Sequence, residues 1–406
     1  MVAASGYNDD LFKGNQTNFM TRLHNIFQVV TVFLLLFSSA LVNAAPQAIP
    51  AATQLAASGY VLQDFHSGRI IAELNADKQM EPASLTKMMT TYVVVHELKS
   101  GNIKLTDKVT ISDKAWRMPG SRMFVEVNTQ VSIEDLLKGI VIQSGNDASV
   151  AIAEHVAGSE ETFASLMNQY AARLGMSGTH FVNSTGLPHK EHFTTPRDLA
   201  RLASALIRDF PEHYKWYSEK KFTYNNITQY NRNKLLWRDK TVDGVKTGHT
   251  ESAGYCLVAS SLRDDMRLLS VVLGTASERA REQESRKLLN YGFRFYRTHQ
   301  LYAAGATLSD AKIWKGKQDQ LALGLKEDLY VTVPRGTYKR LKPSISYASV
   351  IEAPVNKHAV FGSVDINLDD KVIASRELVA LHEIEEGSWW KRLVDSLLIF
   401  FKDLFA

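Results

Sequence analysis

The stretch Pro82-Ala83-Ser84-Leu85-Thr86-Lys87-Met88-Met89-Thr90-Thr91-Tyr92-Val93-Val94-Val95-His96-Glu97-Leu98 decides how the chain is read. Its apolar residues, Met88, Met89, Val93, Val94 and Val95, run on from Pro82-Ala83, so it predicts a helix over Leu85 to Leu98 with Ser84 at its start. A serine three residues before a lysine puts both side chains on one helical face, where the amine can take the hydroxyl proton. The spacing recurs at Ser218/Lys221, Ser309/Lys312 and Ser388/Lys391, and at most one of the four can be catalytic. Ser84 differs because it opens an apolar helix, where the dipole and the free N–H groups favour charge on an attacked carbonyl oxygen. The same place suits a serine that merely caps the helix, and this stretch leaves both readings open.

Around it, residues 57 to 296 mix strands and helices. Tyr60-Val61-Leu62 and Arg69-Ile70-Ile71-Ala72 flank His66-Ser67-Gly68 as an opening hairpin. Helical stretches run from Ile133 to Ile142 and from Ala148 to Val156, with Gln143-Ser144-Gly145-Asn146 between them. Ser-Gly-Asn also occurs at Ser100-Gly101-Asn102, where glycine suits a helix C-terminal cap. The second copy joins two helices, so its serine and asparagine can point into a shared cleft. Lys246-Thr247-Gly248 follows the turn Asp243-Gly244 on a strand edge, where lysine supplies positive charge and glycine admits a substrate backbone. A solvated lysine and a strand-end glycine are the plainer alternative. Two apolar strands, Tyr255 to Ser260 and Arg267 to Leu273, and a helix from Arg281 to Tyr296 complete this part. Beyond residue 296, short alternating segments at Leu329-Val331-Val333, Ile345 to Val350, Val364-Ile366-Leu368 and Val372-Ile373 predict a small all-β domain, with Leu368-Asp369-Asp370-Lys371 as a hairpin turn.

At 406 residues the chain exceeds the roughly 250 at which single cores stop growing. Its 45% hydrophobic and 22% charged residues are those of a folded protein. A balance of 47 basic against 43 acidic residues, without a dense basic tract, argues against nucleic acid as a partner. The single cysteine, Cys256, sits in an apolar run and reads as a buried core thiol. No metal or other cofactor is expected, because His96-Glu97 and His382-Glu383 each lack a second histidine four residues away. His189, Glu191 and His192 read as solvated loop residues. Arg22 and His24 precede an apolar run from Val29 to Phe37 and then Val42-Asn43-Ala44, the layout of a secretory signal peptide cleaved after Ala44. Polar residues 1–19 sit oddly before such a signal, which makes Met20 a candidate start.

Taken in order, Ser84-x-x-Lys87, Ser144-x-Asn146 and Lys246-Thr247-Gly248 form the serine-lysine pattern of β-lactamases and penicillin-binding proteins. With their flanks Pro82-Ala83, Gln143, Asp147-Ala148, Asp243-Gly244-Val245 and His249-Thr250, these motifs resemble the low-molecular-mass D-alanyl-D-alanine carboxypeptidases from about residue 57 to the C-terminus. The resemblance implies an α+β catalytic domain of the β-lactamase/transpeptidase type over 45–296, with an antiparallel sheet flanked by helices, then an all-β domain over 297–386. It implies that Ser84 attacks the carbonyl between two D-alanines of a peptidoglycan pentapeptide, that Lys87 is the base and that Ser144 relays a proton. Asn146 would hold the substrate amide and steady Lys87, and the backbone N–H groups of Ser84 and His249 would form the oxyanion hole. Lys246, Thr247 and Gly248 would line the substrate. Arg281 would hold its terminal carboxylate, with Arg232 a second candidate; a surface arginine paired with Glu278 or Glu284 is the alternative for Arg281. A neutral Lys87 is expected from partial burial and the charge of Lys246. β-Lactam antibiotics would be covalent inhibitors.

A β-lactamase would need a positioned glutamate, and between Gly186 and Pro196 only Glu191 is offered. A peptidoglycan endopeptidase is poorly separated by sequence, whereas intact Ser84, Lys87, Ser144 and Lys246 argue against a catalytically idle wall-binding protein. Residues 388–406 predict an amphipathic helix. At about 100° per residue, Lys391, Arg392, Asp395, Ser396, Lys402 and Asp403 fall within about 140° of arc, with Ile399 the one apolar residue among them. Trp389, Trp390, Leu393, Val394, Leu397, Leu398, Phe400, Phe401, Leu404 and Phe405 fill the remainder. Aromatics at both ends suit a helix lying on the periplasmic face of the cytoplasmic membrane, and the charges oppose a span. Packing on the β domain is the alternative.

Overall fold

A computed structural model describes residues 50–52 and 54–405; the signal-peptide reading of residues 1–44 lies outside them. The hairpin opens the fold as β1 (Gly59–Asp64) and β2 (Ile70–Leu74). A 3₁₀ turn over Ala83–Thr86 then carries Ser84 into α1 (Lys87–Lys99). This helix is buried on every side from Lys87 to Val95, as apolar residues spread around its circumference require, with Lys87 the one charge among them. The expected helix from Ile133 to Ile142 divides into α2 (Ile133–Lys138) and a π-helical turn, Gly139–Gln143. Two further helices follow, α3 (Asn146–Ala157) and α4 (Glu160–Arg173). After α5 (Pro196–Asp209) come the strands β3 (Val242–Thr250), β4 (Gly254–Arg263) and β5 (Met266–Thr275), and the long helix α6 (Glu278–Phe295). Together the strands make an antiparallel sheet in the order β2-β1-β5-β4-β3. β3 is therefore an edge strand, as expected. One core joins α1 to α5 and the sheet, and Cys256 is buried in it, as read.

α4 and α5 are additions to the expected set of helices. Ser159 accepts from Thr162 N and Thr195 from Asp198 N as N-caps, and each helix turns apolar residues inward, Phe163, Met167 and Tyr170 on α4 and Leu199, Leu202 and Leu206 on α5.

A second core belongs to the strands β6 (Tyr296–Tyr302), β7 (Thr307–Trp314), β8 (Gln320–Gly324), β9 (Leu329–Pro334), β10 (Leu341–Tyr347), β11 (Ile351–Glu352), β12 (Val360–Leu368) and β13 (Lys371–Ala380). Six pair in the order β10-β12-β13-β8-β7-β11, while β6 pairs with β9. Asp369 and Asp370, both at positive φ, turn β12 into β13 where the hairpin was expected. The two parts are stitched by Thr298, which donates to Asp64 at 2.6 Å, and by Arg69, which donates to Thr332 O at 2.7 Å.

The last helix, α7 (Trp389–Leu404), presents its polar face to the β strands. Lys391 pairs with Asp319, Lys315 N donates to Asp395 at 2.6 Å, and Lys402 Nζ donates to Ser349 O at 3.2 Å. Ile399, the apolar residue out of place on the wheel, is half-buried on this side. The opposite face is bare, with Trp389 63% and Phe401 50% exposed. Among the described residues no helix is long and apolar enough to cross a membrane.

Candidate active site

A cleft of about 440 Å³ opens where the Ser84 turn, the π-turn end and strand β3 converge. Of the residues singled out in the sequence, Ser84, Ser144, Asn146, Thr247, Gly248, His249, Arg232 and Arg281 line it. Lys87 and Lys246 are buried beside it.

Ser84 caps nothing: neither the 3₁₀ turn nor α1 has a side-chain cap bond at its start, so the capping reading fails. Its Oγ instead lies 3.1 Å from Lys87 Nζ. Lys87 is fully buried, and Nζ also donates to Asn146 Oδ1 at 2.7 Å and to Thr185 O at 2.6 Å. Burial, with the Arg232 charge a smaller cause, brings its pKa down to about 7, against the opposing pull of Asp147 and Glu160. Arg232 is thus a source of positive charge on Lys87 beyond the expected Lys246. Lys246 is itself held well below the ordinary lysine range by burial and then by Lys87, Arg232 and Arg281. Of the other Ser-x-x-Lys pairs, Ser388 caps α7 and Ser309 and Lys312 lie on β7.

Ser144 ends the π-turn in the left-handed conformation, φ 68°, and its buried Oγ has no hydrogen-bond partner among the described residues. A strained residue with an unfilled hydroxyl, aimed into a cleft, is a common feature of functional sites. Asn146 opens α3. It is held from both ends of its amide, Oδ1 accepting from Lys87 and Nδ2 donating 2.6 Å to Pro119 O. The next residue, Asp147, has no role that its motif discloses, yet it holds the chain that follows Gly120 and Ser121, two residues of the cleft lining. Buried, it accepts from Met123 N and Phe124 N at 2.9 Å and from Val125 N at 3.3 Å.

On β3, a Cβ at Gly248 would lie 3.0 Å from Pro82 O and 3.2 Å from Ala83 Cβ. The glycine therefore lets the strand rest on the chain's own nucleophile turn, a closer constraint than the expected substrate backbone. His249 stacks on Tyr255 at 3.9 Å between ring centres. Arg281 is only 3% exposed, which removes the surface reading even though Glu278 does pair with it, at 3.3 Å. Its NH1 donates to Gly248 O at 3.3 Å. Arg232 donates from Nε to Gln143 O at 3.2 Å and leaves the rest of its guanidinium at the cleft wall.

The loop 183–187 is a part of the site that the motifs do not announce. Asn183 Oδ1 accepts from Gly186 N at 2.7 Å, and Glu160 Oε1 accepts from Ser184 N at 3.0 Å, so the turn is pinned with Thr185 O aimed at Lys87. Gly186 lies at φ +83°, and a Cβ there would fall 1.8 Å from Ala83 O. Only a glycine passes the nucleophile turn here. His192 is a correction: it is buried, accepts from Val182 N at Nδ1, and so carries its proton on Nε2, which donates to Thr86 at 2.8 Å. Burial takes its pKa down to about 4. His189 and Glu191 are exposed, as expected, and neither lines the cleft.

Residues 45–277 match the family model for D-alanyl-D-alanine carboxypeptidase, and residues 296–386 that for the C-terminal domain of penicillin-binding protein 5. D-alanyl-D-alanine carboxypeptidase DacA of Escherichia coli K12 is 44% identical over 366 residues, covering 88% of this chain and 91% of that protein. DacC of the same organism is 45% identical over 384 residues, covering 93% and 96%. The crystal structure of penicillin binding protein 5 from Haemophilus influenzae superimposes with a TM-score of 0.80 at 43% identity, covering 83% of this chain and all of the other. Penicillin-binding protein D2 from Listeria monocytogenes in its ampicillin-bound form matches at 0.55 and 30% identity, covering 59% of this chain and 99% of the other.

Proposed function

The chain belongs to the D-alanyl-D-alanine carboxypeptidase family, a serine-type, penicillin-binding hydrolase that takes the terminal D-alanine from peptidoglycan pentapeptides, and from that premise we propose how its cleft performs the reaction. One observation carries the proposal. Lys87 Nζ has three neighbours, and two of them, Asn146 Oδ1 and Thr185 O, can only accept. A neutral amine gives its two N–H bonds to those oxygens and turns its lone pair to the third neighbour, the Ser84 hydroxyl. Ser84 O–H then donates to Lys87, and with a pKa of about 7 the amine is free to take the proton as Oγ attacks the D-Ala-D-Ala carbonyl.

The C–N bond breaks, and the proton passes from Lys87, by way of Ser144, to the leaving amine. Ser144 Oγ has the unfilled hydrogen-bonding capacity that this relay needs. The backbone N–H groups of Ser84 and His249 receive the oxyanion, and Thr247 and Gly248 flank the substrate. Arg281, with Arg232 beside it, takes the terminal carboxylate. Water then hydrolyses the ester, with Lys87 again the base. A β-lactam enters the same acylation and is released slowly, since Glu191 does not line the cleft.

We further infer that the protein is exported and held at the membrane surface by α7, whose polar face is occupied by the β domain while its tryptophans and phenylalanines point outward. The reaction is tested by incubating the protein with a pentapeptide ending in D-Ala-D-Ala and assaying free D-alanine. Release of D-alanine is expected, and its absence from folded protein would overturn the assignment.

A further inference from the structure

Two cavities meet at one side chain. Beside the cleft over Ser84 lies a groove of about 330 Å³, lined by Lys234, Trp237, Arg238, Arg279 and Glu282, and Glu278 lines both. Glu278 stands in the first turn of α6, one turn ahead of Arg281, and its side chain is 61% exposed, so little packing restrains its rotation. From there Oε1 reaches Arg281 NH2 at 3.3 Å, the one carboxylate within ion-pair distance of that arginine among the described residues. The rest of the arginine is poorly satisfied. NH1 has a 3.3 Å bond to Gly248 O, and the buried Nε has no hydrogen-bond partner among the described residues. A buried guanidinium with unfilled donors draws in any carboxylate within reach, and in the free enzyme Glu278 is the one the chain provides.

On the groove side, Arg238 is taken by Glu282 at 2.9 Å, but Lys234 and Arg279 have no carboxylate partner among the described residues. Lys234 rests over the Trp237 ring at 5.2 Å. A Glu278 carboxylate that leaves Arg281 therefore remains beside positive charge.

We propose that Glu278 is a resident stand-in for the substrate's terminal carboxylate. It occupies Arg281 in the empty enzyme, yields to the incoming peptide by turning toward Lys234 and Arg279, and returns to help displace free D-alanine. The idea rests on Arg281 being the carboxylate clamp. Glu278 touches no reacting atom and acts through Arg281 as a selectivity residue. A pentapeptide gripped along the cleft outcompetes it, whereas free D-alanine, held by little else, does not.

The test uses the full chain and its Glu278→Gln, Glu278→Asp and Arg281→Lys variants. The probes are a pentapeptide ending in D-Ala-D-Ala, the same peptide with a C-terminal amide, and free D-alanine as inhibitor. Glu278→Gln should lower both the KM for the free-acid peptide and the inhibition constant of D-alanine by about three- to fivefold, the worth of a partly exposed ion pair. It should leave kcat and the amide peptide near wild type, and Glu278→Asp should restore most of the difference. If Glu278→Gln changes neither constant while Arg281→Lys raises the KM for the free-acid peptide alone, the stand-in is wrong and the clamp stands. If neither variant alters the preference for acid over amide, clamp and stand-in fall together.

Discussion

The nucleophile cluster and the C-terminal helix depart from the ordinary inside–outside rule in opposite directions. Around Ser84, Lys87, Lys246, Asn146 and Asp147 are buried. From Trp389 to Phe405, ten large apolar side chains are exposed. Each arrangement raises the free energy of the isolated fold. Burial keeps Lys87 close to neutrality, so the cost of withdrawing an ammonium from water leaves a free amine whose lone pair is directed at Ser84. The bare face of α7 has the geometry of a helix that a bilayer surface would cover.

Removing the lysine should break the first half of this comparison most completely. Lys87→Met, close in volume, should lower acylation by about 10²–10⁴-fold, the range for a lost general base. It should also change how stability varies with pH. The folded pKa is about 7 against an ordinary 10.5, so between those values the unfolded chain binds more protons than the folded one and stability rises with pH. Chemical denaturation at several pH values should show that rise in wild type and a weaker one in the variant.

Gly186→Ala sharpens the same half from a distance. The new Cβ would meet Ala83 O, so the loop or the nucleophile turn must move. An activity loss of about 10- to 100-fold, with destabilisation of about 1–3 kcal/mol, is expected; kinetics and thermal melting check it.

The second half is broken by ending the chain at Gly387. Catalysis on a soluble pentapeptide should be nearly unchanged, while sedimentation with lipid vesicles is lost. A truncated protein that still sediments would place the membrane contact elsewhere.

The two regions are not equally legible in the sequence. The helix is readable because amphipathicity is periodic, and even its out-of-place Ile399 makes sense once the polar face is seen against the β domain. The cluster is readable only as an ordered set of motifs, since hydropathy treats Lys87 as one charge in an apolar helix. Residues acting through backbone or across long sequence separation are illegible. Thr185 contributes a carbonyl, Gly186 an absent side chain, and Arg232 a charge on Lys87. Asn183-Ser184-Thr185-Gly186 can be recognised as a turn, but its target 98 positions away cannot. For α4 and α5 the signal is present in the caps Ser159 and Thr195, each followed by apolar residues at helical spacing, and hydropathy alone passes over it.

The central claim is that Ser84 is activated by a lysine that is neutral near pH 7. It is tested most directly by the rate at which penicillin becomes covalently attached, followed by peptide mass spectrometry from pH 5 to 9. A single adduct is expected on the peptide containing Ser84, and none in Ser84→Ala. The rate should climb about tenfold per pH unit below about 7 and level off above it, as a base with the Lys87 pKa requires. An adduct that persists in Ser84→Ala, or a rate that is flat across that range, would contradict it.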